Sequence, residues 1–488
     1  MTKIDVGLRS ERGPILLAIM VATGVVAIDA TIIASAMPVI VDDLGGFSQF
    51  PWLFSVYLLA QSVTVPIYAK LADTIGRKRI ILFGISVFLI ASILCGLAWD
   101  MPSLIAFRAL QGIGAGAILP ITSTIVGDIY TIEERARTQG YLASVWAIAA
   151  VAGPSLGGVF AMWDFWRGIF FINIPLCLMA LWLLARDYTE KLERQKHRID
   201  YLGAALLTVS LTLLLLGVLE GGNAWAWASP ISFGIFGVGI MLLVVFVLVE
   251  RRAAEPVLPL WVLGRRLLRA TNAVSIMVGA ALIGLTAFVP TYLVVGLGVS
   301  PLVAGLALAT LTIGWPIASS LSGRMYLRIG FRSTALIGSG FVLVGTVALA
   351  LLGPYPSIVG VAVVAFVIGF GFGLSAVPTL IAAQASVGWA DRGVVTGANM
   401  FARSSGQAVG AAVLGAVANA VIAAGGGDET DPGVMIQAST AVFLGAAVVA
   451  VLLVVASFAM PRERRASEPQ TVGDTASEPD PQPDPAAS

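Results

Sequence analysis

The chain has 488 residues, of which 58% are hydrophobic and only 12% charged, with 29 Lys and Arg against 28 Asp and Glu. A soluble protein of this length needs far more surface charge, so the bilayer is the main solvent. A net charge of +1 gives no reason to expect nucleic acid as a partner, and Cys95 and Cys177, isolated in apolar stretches, offer neither a disulfide framework nor a metal site.

At about 20 apolar residues per crossing, fourteen spanning segments are predicted, beginning near residues 14, 52, 80, 103, 137, 168, 201, 230, 270, 301, 333, 357, 393 and 434. Segment 1 is long, is interrupted by Asp29 and is followed by no small-residue cleavage site, so it reads as a spanning helix and not as a signal peptide. With the segments marked off, 26 of the 29 basic residues fall in every second gap, and the intervening gaps hold only Arg167. Basic residues are retained on the cytoplasmic side. The N-terminal stretch (Lys3, Arg9, Arg12) and the gap after segment 2 (Lys70, Arg77, Lys78, Arg79) are therefore predicted to be cytoplasmic, as are 186–200 and 250–269, with five basic residues each. The gap 423–433, with Asp428, Glu429 and Asp431, is predicted outside, and the even count puts both termini in the cytoplasm. The stretch 250–269 mixes Trp261, Val262 and Leu267 with Arg265, Arg266 and Arg269, which suits a segment lying along the membrane interface. After Met460 the chain turns to Pro, Glu, Asp and Ser and is expected to be disordered.

A shift of 257 positions lays segments 4 and 5 on segments 12 and 13. Gly112, Gly114 and Gly116 meet Gly369, Gly371 and Gly373; Glu134 and Arg135 meet Asp391 and Arg392; Gly140, Gly153 and Gly158 meet Gly397, Gly410 and Gly415. A weaker match at a shift of 254 pairs Gly76 and Gly84 with Gly330 and Gly338. Glycines four apart, such as Gly406 with Gly410, let helices approach closely in lipid, which accounts for them singly but not for their shared register. Segments 4 and 12 are both entered from outside, so the repeats are parallel. The predicted divisions are a cytoplasmic N-terminus (1–13), an N-terminal six-helix bundle (14–185), an inserted hairpin of segments 7 and 8 with flanking cytoplasmic loops (186–269), a C-terminal six-helix bundle (270–460) and a cytoplasmic tail (461–488).

Five motifs stand in order along these segments. Ala69 to Lys78 reads Ala-Lys-Leu-Ala-Asp-Thr-Ile-Gly-Arg-Lys; segment 4 carries Arg108, Gln111, Gly112, Gly114 and Gly116; segment 5 carries Gly153, Pro154, Gly157 and Gly158. Segment 1 holds Asp29, Thr31, Ala36 and Pro38, and segment 6 opens with Trp166, Arg167, Phe170, Phe171, Asn173 and Pro175. In these residues the chain, over 14 to 460, resembles the major facilitator superfamily and, within it, the fourteen-helix drug:proton antiporters. The first stretch is similar to the superfamily's signature loop, with Ala69 in place of the usual first glycine. The segment 5 motif is similar to the one that marks antiporters as opposed to symporters. The resemblance implies an all-α integral membrane protein of the major facilitator fold, two pseudo-symmetric six-helix bundles plus an inserted two-helix hairpin, and secondary active export. It does not identify a substrate.

Asp29 is the only acidic residue placed well inside a spanning segment. A central carboxylate or arginine costs about 2.5 to 3.5 kcal/mol on the insertion scale, so such groups face a cavity or a partner. Burial and a nearby cation shift a carboxylate in opposite senses, which suits Asp29 to load and release a proton. Arg108 lies at nearly the same depth, within about 5 Å by helical rise. It is expected either to tune Asp29 or to brace its own helix through carbonyls and Gln111. Arg403, near the midplane of segment 13, occupies the repeat position of Trp146. It is expected either to bind substrate or to hold its half together through Asn399, Ser404 and Gln407. Asp73, Gly76 and Arg77 are either solvated loop charges or, as the resemblance implies, a latch for the outward-facing state; Leu327 replaces Asp73 in the second copy. Pro154, with Gly153 and Gly157, permits a bend in segment 5. Tyr57, Gln61, Trp146, Tyr292, Trp315, Asn399 and Phe401, with Arg403, are candidates to line a central cavity, most of them equally suited to packing.

The expected function is proton-driven export of lipophilic or amphiphilic small molecules, cationic ones among them, across a bacterial cytoplasmic membrane by a monomer with no cofactor. Few fixed charges in the spanning region favour such cargo over sugars or organic anions. An exporter of lipid or siderophore cargo is the nearest rival. A membrane-embedded enzyme has little support, because the sole histidine, His197, is in a charged loop and no carboxylates pair inside the membrane. A non-transporting receptor leaves Asp29 without a purpose. Arg outnumbers Lys 24 to 5, which points to a GC-rich bacterial genome.

Overall fold

The computed structural model describes residues 6–45, 52–190, 200–221, 224–226, 228–253, 256, 261–353, 357–425 and 431–462. They form helices α1 (Gly13–Leu44), α2 (Trp52–Ile75), α3 (Arg77–Gly96), α4 (Met101–Ile129), α5 (Ile132–Met162), α6 (Gly168–Phe171), α7 (Asn173–Asp187), α8 (Tyr201–Glu220) and α9 (Pro230–Glu250). The second part holds α10 (Trp261–Gly264), α11 (Arg266–Thr291, continued by a π-helical turn Tyr292–Gly296), α12 (Pro301–Ile329), α13 (Phe331–Leu352), α14 (Ile358–Ala385), α15 (Arg392–Ala424) and α16 (Pro432–Ala459). The tail from 463, His197, Asp428, Glu429 and part of the expected interfacial stretch lie outside the described residues.

Twelve helical stretches among the described residues are long and apolar enough to cross a membrane, against the fourteen expected. The two expected segments not among the twelve are α5 and α8, in both of which some residues lie outside the described set. The helices are apolar on their outer faces too: Phe83, Ile90, Val344, Val448 and Phe458 are all exposed, as lipid-facing side chains must be.

The repeat read in the sequence is a repeat of packing. A side chain at Gly112 would strike the Tyr57 carbonyl, one at Gly114 the Phe88 amide and one at Gly116 the Thr64 hydroxyl and Gln61 carbonyl, so α4 lies pressed between α2 and α3. In the second half Gly369, Gly371 and Gly373 meet the carbonyls of Leu311, Gly338 and Trp315 in the same way, pressing α14 between α12 and α13. Tyr57 and Leu311, Gln61 and Trp315, and Gly84 and Gly338 are partners at the shift of 254. Gly76 (φ 105°) and Gly330 (φ 84°) make the sharp turns into α3 and α13, a conformation open chiefly to glycine.

Each half completes its bundle alike. Gly153 brings α5 onto Thr31 of α1, whose hydroxyl donates to the Ala149 carbonyl at 3.1 Å; Gly406 and Gly410 bring α15 onto Ile276 and Ala280 of α11. Separate apolar cores result, around Ile85, Phe88 and Ile121 in one half and Val278, Val342 and Phe372 in the other. Between the halves in sequence, α8 and α9 pack antiparallel, Gly217 against Ile235 and Gly239 against Leu214, and Leu207 and Leu211 of α8 lie beside Leu59 and Val63 of α2. Arg167, the one basic residue of the intervening gaps, is paired with Asp43 at 2.8 Å.

The halves join at the end that carries the N-terminus and the α2–α3 and α4–α5 turns, here the basic end. There Tyr326 of α12 donates to the Ile132 carbonyl at 2.9 Å, Gly140 of α5 sits on Ser320, and Gly397 of α15 sits on the Ala69 methyl of α2.

Candidate functional site

Inside the N-terminal half, α1 and α4 bring Asp29 and Arg108 into direct contact: Arg108 Nη1 donates to Asp29 Oδ2 at 2.6 Å, and each residue is 1% exposed. The similar depth expected from helical rise is realised as direct contact. Gln111, one helical turn along α4, donates from Nε2 to Asp29 Oδ1 at 2.9 Å and accepts from Arg108 at 2.6 Å. The guanidinium also donates to the Leu53 carbonyl at 3.2 Å and lies over the Tyr57 ring at 4.1 Å, both on α2. Both bracing and pairing are therefore present at Arg108.

Two further groups complete the cluster. Asn173, at the start of α7, points its amide at Asp29 Oδ1 from 3.4 Å and donates to Ser92 Oγ at 2.8 Å; Ser92 of α3 also accepts from Gln111 at 2.9 Å. Asn173 stood in the segment 6 motif without an assigned role, and nothing in the sequence singled out Ser92. Three donor side chains, Arg108, Gln111 and Asn173, thus converge on one carboxylate, the last two also donating to Ser92, in a region without water-facing surface. Such a pair is stable only while both charges are present, because removing one leaves the other buried and unbalanced.

The second cluster sits at the basic end. Asp73, near the end of α2, accepts from the backbone amides of Gly393 at 3.1 Å and Val394 at 2.7 Å, in the first turn of α15. Unpaired amides and the helix dipole make that terminus a natural seat for a carboxylate. Arg77 is fully buried, paired with Asp73 at 2.7 Å and Asp128 at 3.1 Å, and it donates to the Trp389 carbonyl at 2.7 Å while stacking on the Trp389 ring at 3.7 Å. Glu190 accepts from the amides of Arg77 and Lys78 at the start of α3. Arg392 pairs with Asp128 at 3.2 Å and donates to the Gly127 carbonyl, which Arg135, its partner in the repeat, also reaches. The two halves are thus tied by charge-assisted bonds through α2, α4 and α15. Leu327, the counterpart of Asp73, is exposed. Asp128, Glu190 and Trp389 carried no signal in the sequence, since their partners lie far along the chain.

The remaining candidates separate by exposure. Gln61 and Trp315 are half-buried at matching places on α2 and α12, and Trp146 is 37% exposed. Tyr57, Tyr292 and Asn399 are buried and present no surface to a cavity. Tyr57 lies under Arg108, Tyr292 donates to the Leu352 and Gly353 carbonyls beside Phe443, and Asn399 donates to the Thr271 carbonyl. The polar atoms of Tyr292 and Asn399, which an open cavity would hydrate, meet backbone carbonyls instead, and the Tyr57 hydroxyl is buried without a hydrogen-bond partner among the described residues. Phe401 is half-buried and packs on the cluster that joins α2 to α8. Arg403 is half-buried, and among the described residues it has no hydrogen bond or ion pair, to Asn399, Ser404, Gln407 or any other group. In the segment 5 motif Gly153 is pressed on Thr31, Gly157 is buried and Gly158 faces open space; the Pro154 side chain is outside the described set.

A helical membrane bundle of two repeated halves, tied at one end and holding a buried charge pair, defines a membrane transporter. The model of the Major Facilitator Superfamily matches residues 19–411, and the chain belongs to that superfamily. It is 36% identical over 391 residues to Multidrug resistance protein 3 of Bacillus subtilis, covering 80% of this chain and 76% of the relative. It is 34% identical over 419 residues to the Multidrug transporter protein MdtP of the same organism (85% and 76%), and 34% identical over 416 residues to the efflux pump FUS6 of Gibberella moniliformis (83% and 74%). Among solved structures, the human organic anion transporter MFSD10 (TETRAN) has the same fold, with a TM-score of 0.64 at 15% identity, over 92% of this chain and 99% of that one. The protein is a multi-pass transporter and not an enzyme.

Proposed function

We propose that the protein is a proton-coupled antiporter of the fourteen-helix branch, exporting lipophilic or amphiphilic small molecules, cationic ones among them, from the bacterial cytoplasm. The observation that carries this reading is the buried Asp29–Arg108 pair, a protonatable group where one is costly to keep. Relatives named for multidrug resistance and efflux support the cargo class. In this reading α5 and α8 also cross the membrane. Their 31 and 20 residues reach about 46 and 30 Å at 1.5 Å per residue, enough for the hydrocarbon. The predicted division into bundles at 14–185 and 270–460 about a hairpin within 186–269 follows, with a single chain and no cofactor as the working unit.

The basic end is then cytoplasmic, and the state described is closed on the inside. A proton arriving from outside neutralises Asp29 and leaves the Arg108 charge unbalanced. Arg108 is held to α2 through Leu53 and Tyr57, and the same helix carries Asp73 at its other end. A displacement of α2 that relieves Arg108 therefore pulls on the latch, which is how protonation favours inward opening. A pH gradient of one unit supplies about 1.4 kcal/mol per proton and 100 mV about 2.3 more, comparable with the few charge-assisted bonds to be broken. The test is proton flux in proteoliposomes of wild type and Asp29→Asn, with lipophilic cations and neutral amphiphiles added to each. Ligand-triggered flux in the wild type alone is expected; flux in both places the coupling group elsewhere, and silence in both favours lipid or siderophore cargo or a non-transport role.

A further inference from the structure

Arg403 lies eleven residues beyond the first residue of α15, about 16 Å along the helix from the latch. That helix runs along the seam between the halves. Asn399, Gly406 and Gly410 pack it on α11 of its own half, while Gly397 meets Ala69 of α2 in the other. At this depth an arginine needs a partner or a water-filled cavity.

Among the described residues no carboxylate pairs with it. Asp29 is the only acidic residue well inside the spanning segments, and its oxygens are taken by Arg108, Gln111 and Asn173. With that pair neutral, the interior carries one net positive charge, centred on Arg403. The small number of interior charges argues against organic anions only until their sign is counted.

We propose that Arg403 is the seat for the acidic group, a carboxylate or sulfonate, of an amphiphilic substrate. The assignment rests on the export reading above and adds to its cargo amphiphiles that carry an acid group. The guanidinium fork matches two oxygens of such a group at once, which a lysine cannot do.

The test compares two probes with one ring system, 8-anilinonaphthalene-1-sulfonate and N-phenyl-1-naphthylamine, which lacks the sulfonate. Binding is measured to wild type, Arg403→Gln and Arg403→Lys in phosphatidylcholine nanodiscs. Arg403→Gln is expected to weaken sulfonate binding about tenfold or more and to change naphthylamine binding less than about twofold, with Arg403→Lys between. An equal loss of both probes assigns Arg403 to bracing and overturns the proposal, as does no loss of either. If adding phosphatidylglycerol abolishes the wild-type preference for the sulfonate, a lipid phosphate is the occupant and the substrate assignment falls. Because binding is read without transport, a selective loss at Arg403→Gln in a protein that moves no protons with either probe keeps the anion seat and removes the export reading.

Discussion

Replacing Asp29 by Asn keeps the shape of the side chain and removes its charge. Arg108, 1% exposed, is then left with no counter-charge. Losing one member of a buried pair costs about 3 to 5 kcal/mol. The lower end applies here, because Arg108 keeps Gln111 at 2.6 Å, the Leu53 carbonyl at 3.2 Å and the Tyr57 ring. Arg108→Gln, which strands Asp29 among amide donors, is expected to cost about the same 3 kcal/mol. The double variant buries no ion and is expected to fall short of the summed costs by about 2 kcal/mol, within the range for neighbours in one network. The assay is equilibrium unfolding of the four proteins in mixed micelles, followed by circular dichroism as the share of denaturing detergent rises. Costs that add to within about 0.5 kcal/mol would mean that the two side chains do not act as a pair, and the coupling scheme built on them would go with it.

Asp73→Asn keeps one acceptor for the α15 amides but loses the charge that strengthens both bonds and pairs with Arg77. Both native cysteines are buried, so a Thr396→Cys reporter, fully buried in α15 just beyond the Asp73 seat, reads opening of the basic end. Its labelling rate is expected to rise about tenfold, as loss of about 1.4 kcal/mol implies; an unchanged rate would remove the latch. Within one motif, Gly153→Ala drives a methyl into Thr31 and is expected to cost about 1 to 3 kcal/mol by overpacking, whereas Gly158→Ala meets open space and leaves the unfolding midpoint unmoved. Equal midpoint shifts would contradict the α1–α5 packing.

The glycine register carried most of the architecture, because in lipid a glycine is kept chiefly where two backbones touch, and that requirement recurs at the same interval in both halves. The Asp29–Arg108 contact was also within reach, since helical rise converts sequence position into depth. What rise does not give is azimuth. Tyr292 and Asn399 have the chemistry of cavity residues, yet their helices turn them toward carbonyls of their own half, and a uniformly apolar helix has no periodicity that reveals this. The Asp73 seat was hidden for another reason: its partners are backbone amides, which every residue but proline possesses. Only the placement of the start of α15 beside the end of α2 makes two of them special.

The contact between Ala69 and Gly397 has a consequence for how such chains are inherited. At that crossing there is room for one methyl group, and here the N-terminal half holds it while the C-terminal half goes without. Where a relative keeps the usual glycine at position 69, the allowance is free to pass to its opposite number. Recombination between relatives, with a crossover anywhere between the halves, therefore separates two positions that answer to each other. A hybrid that receives alanine from both parents starts with a collision at the seam, however well each half folds alone.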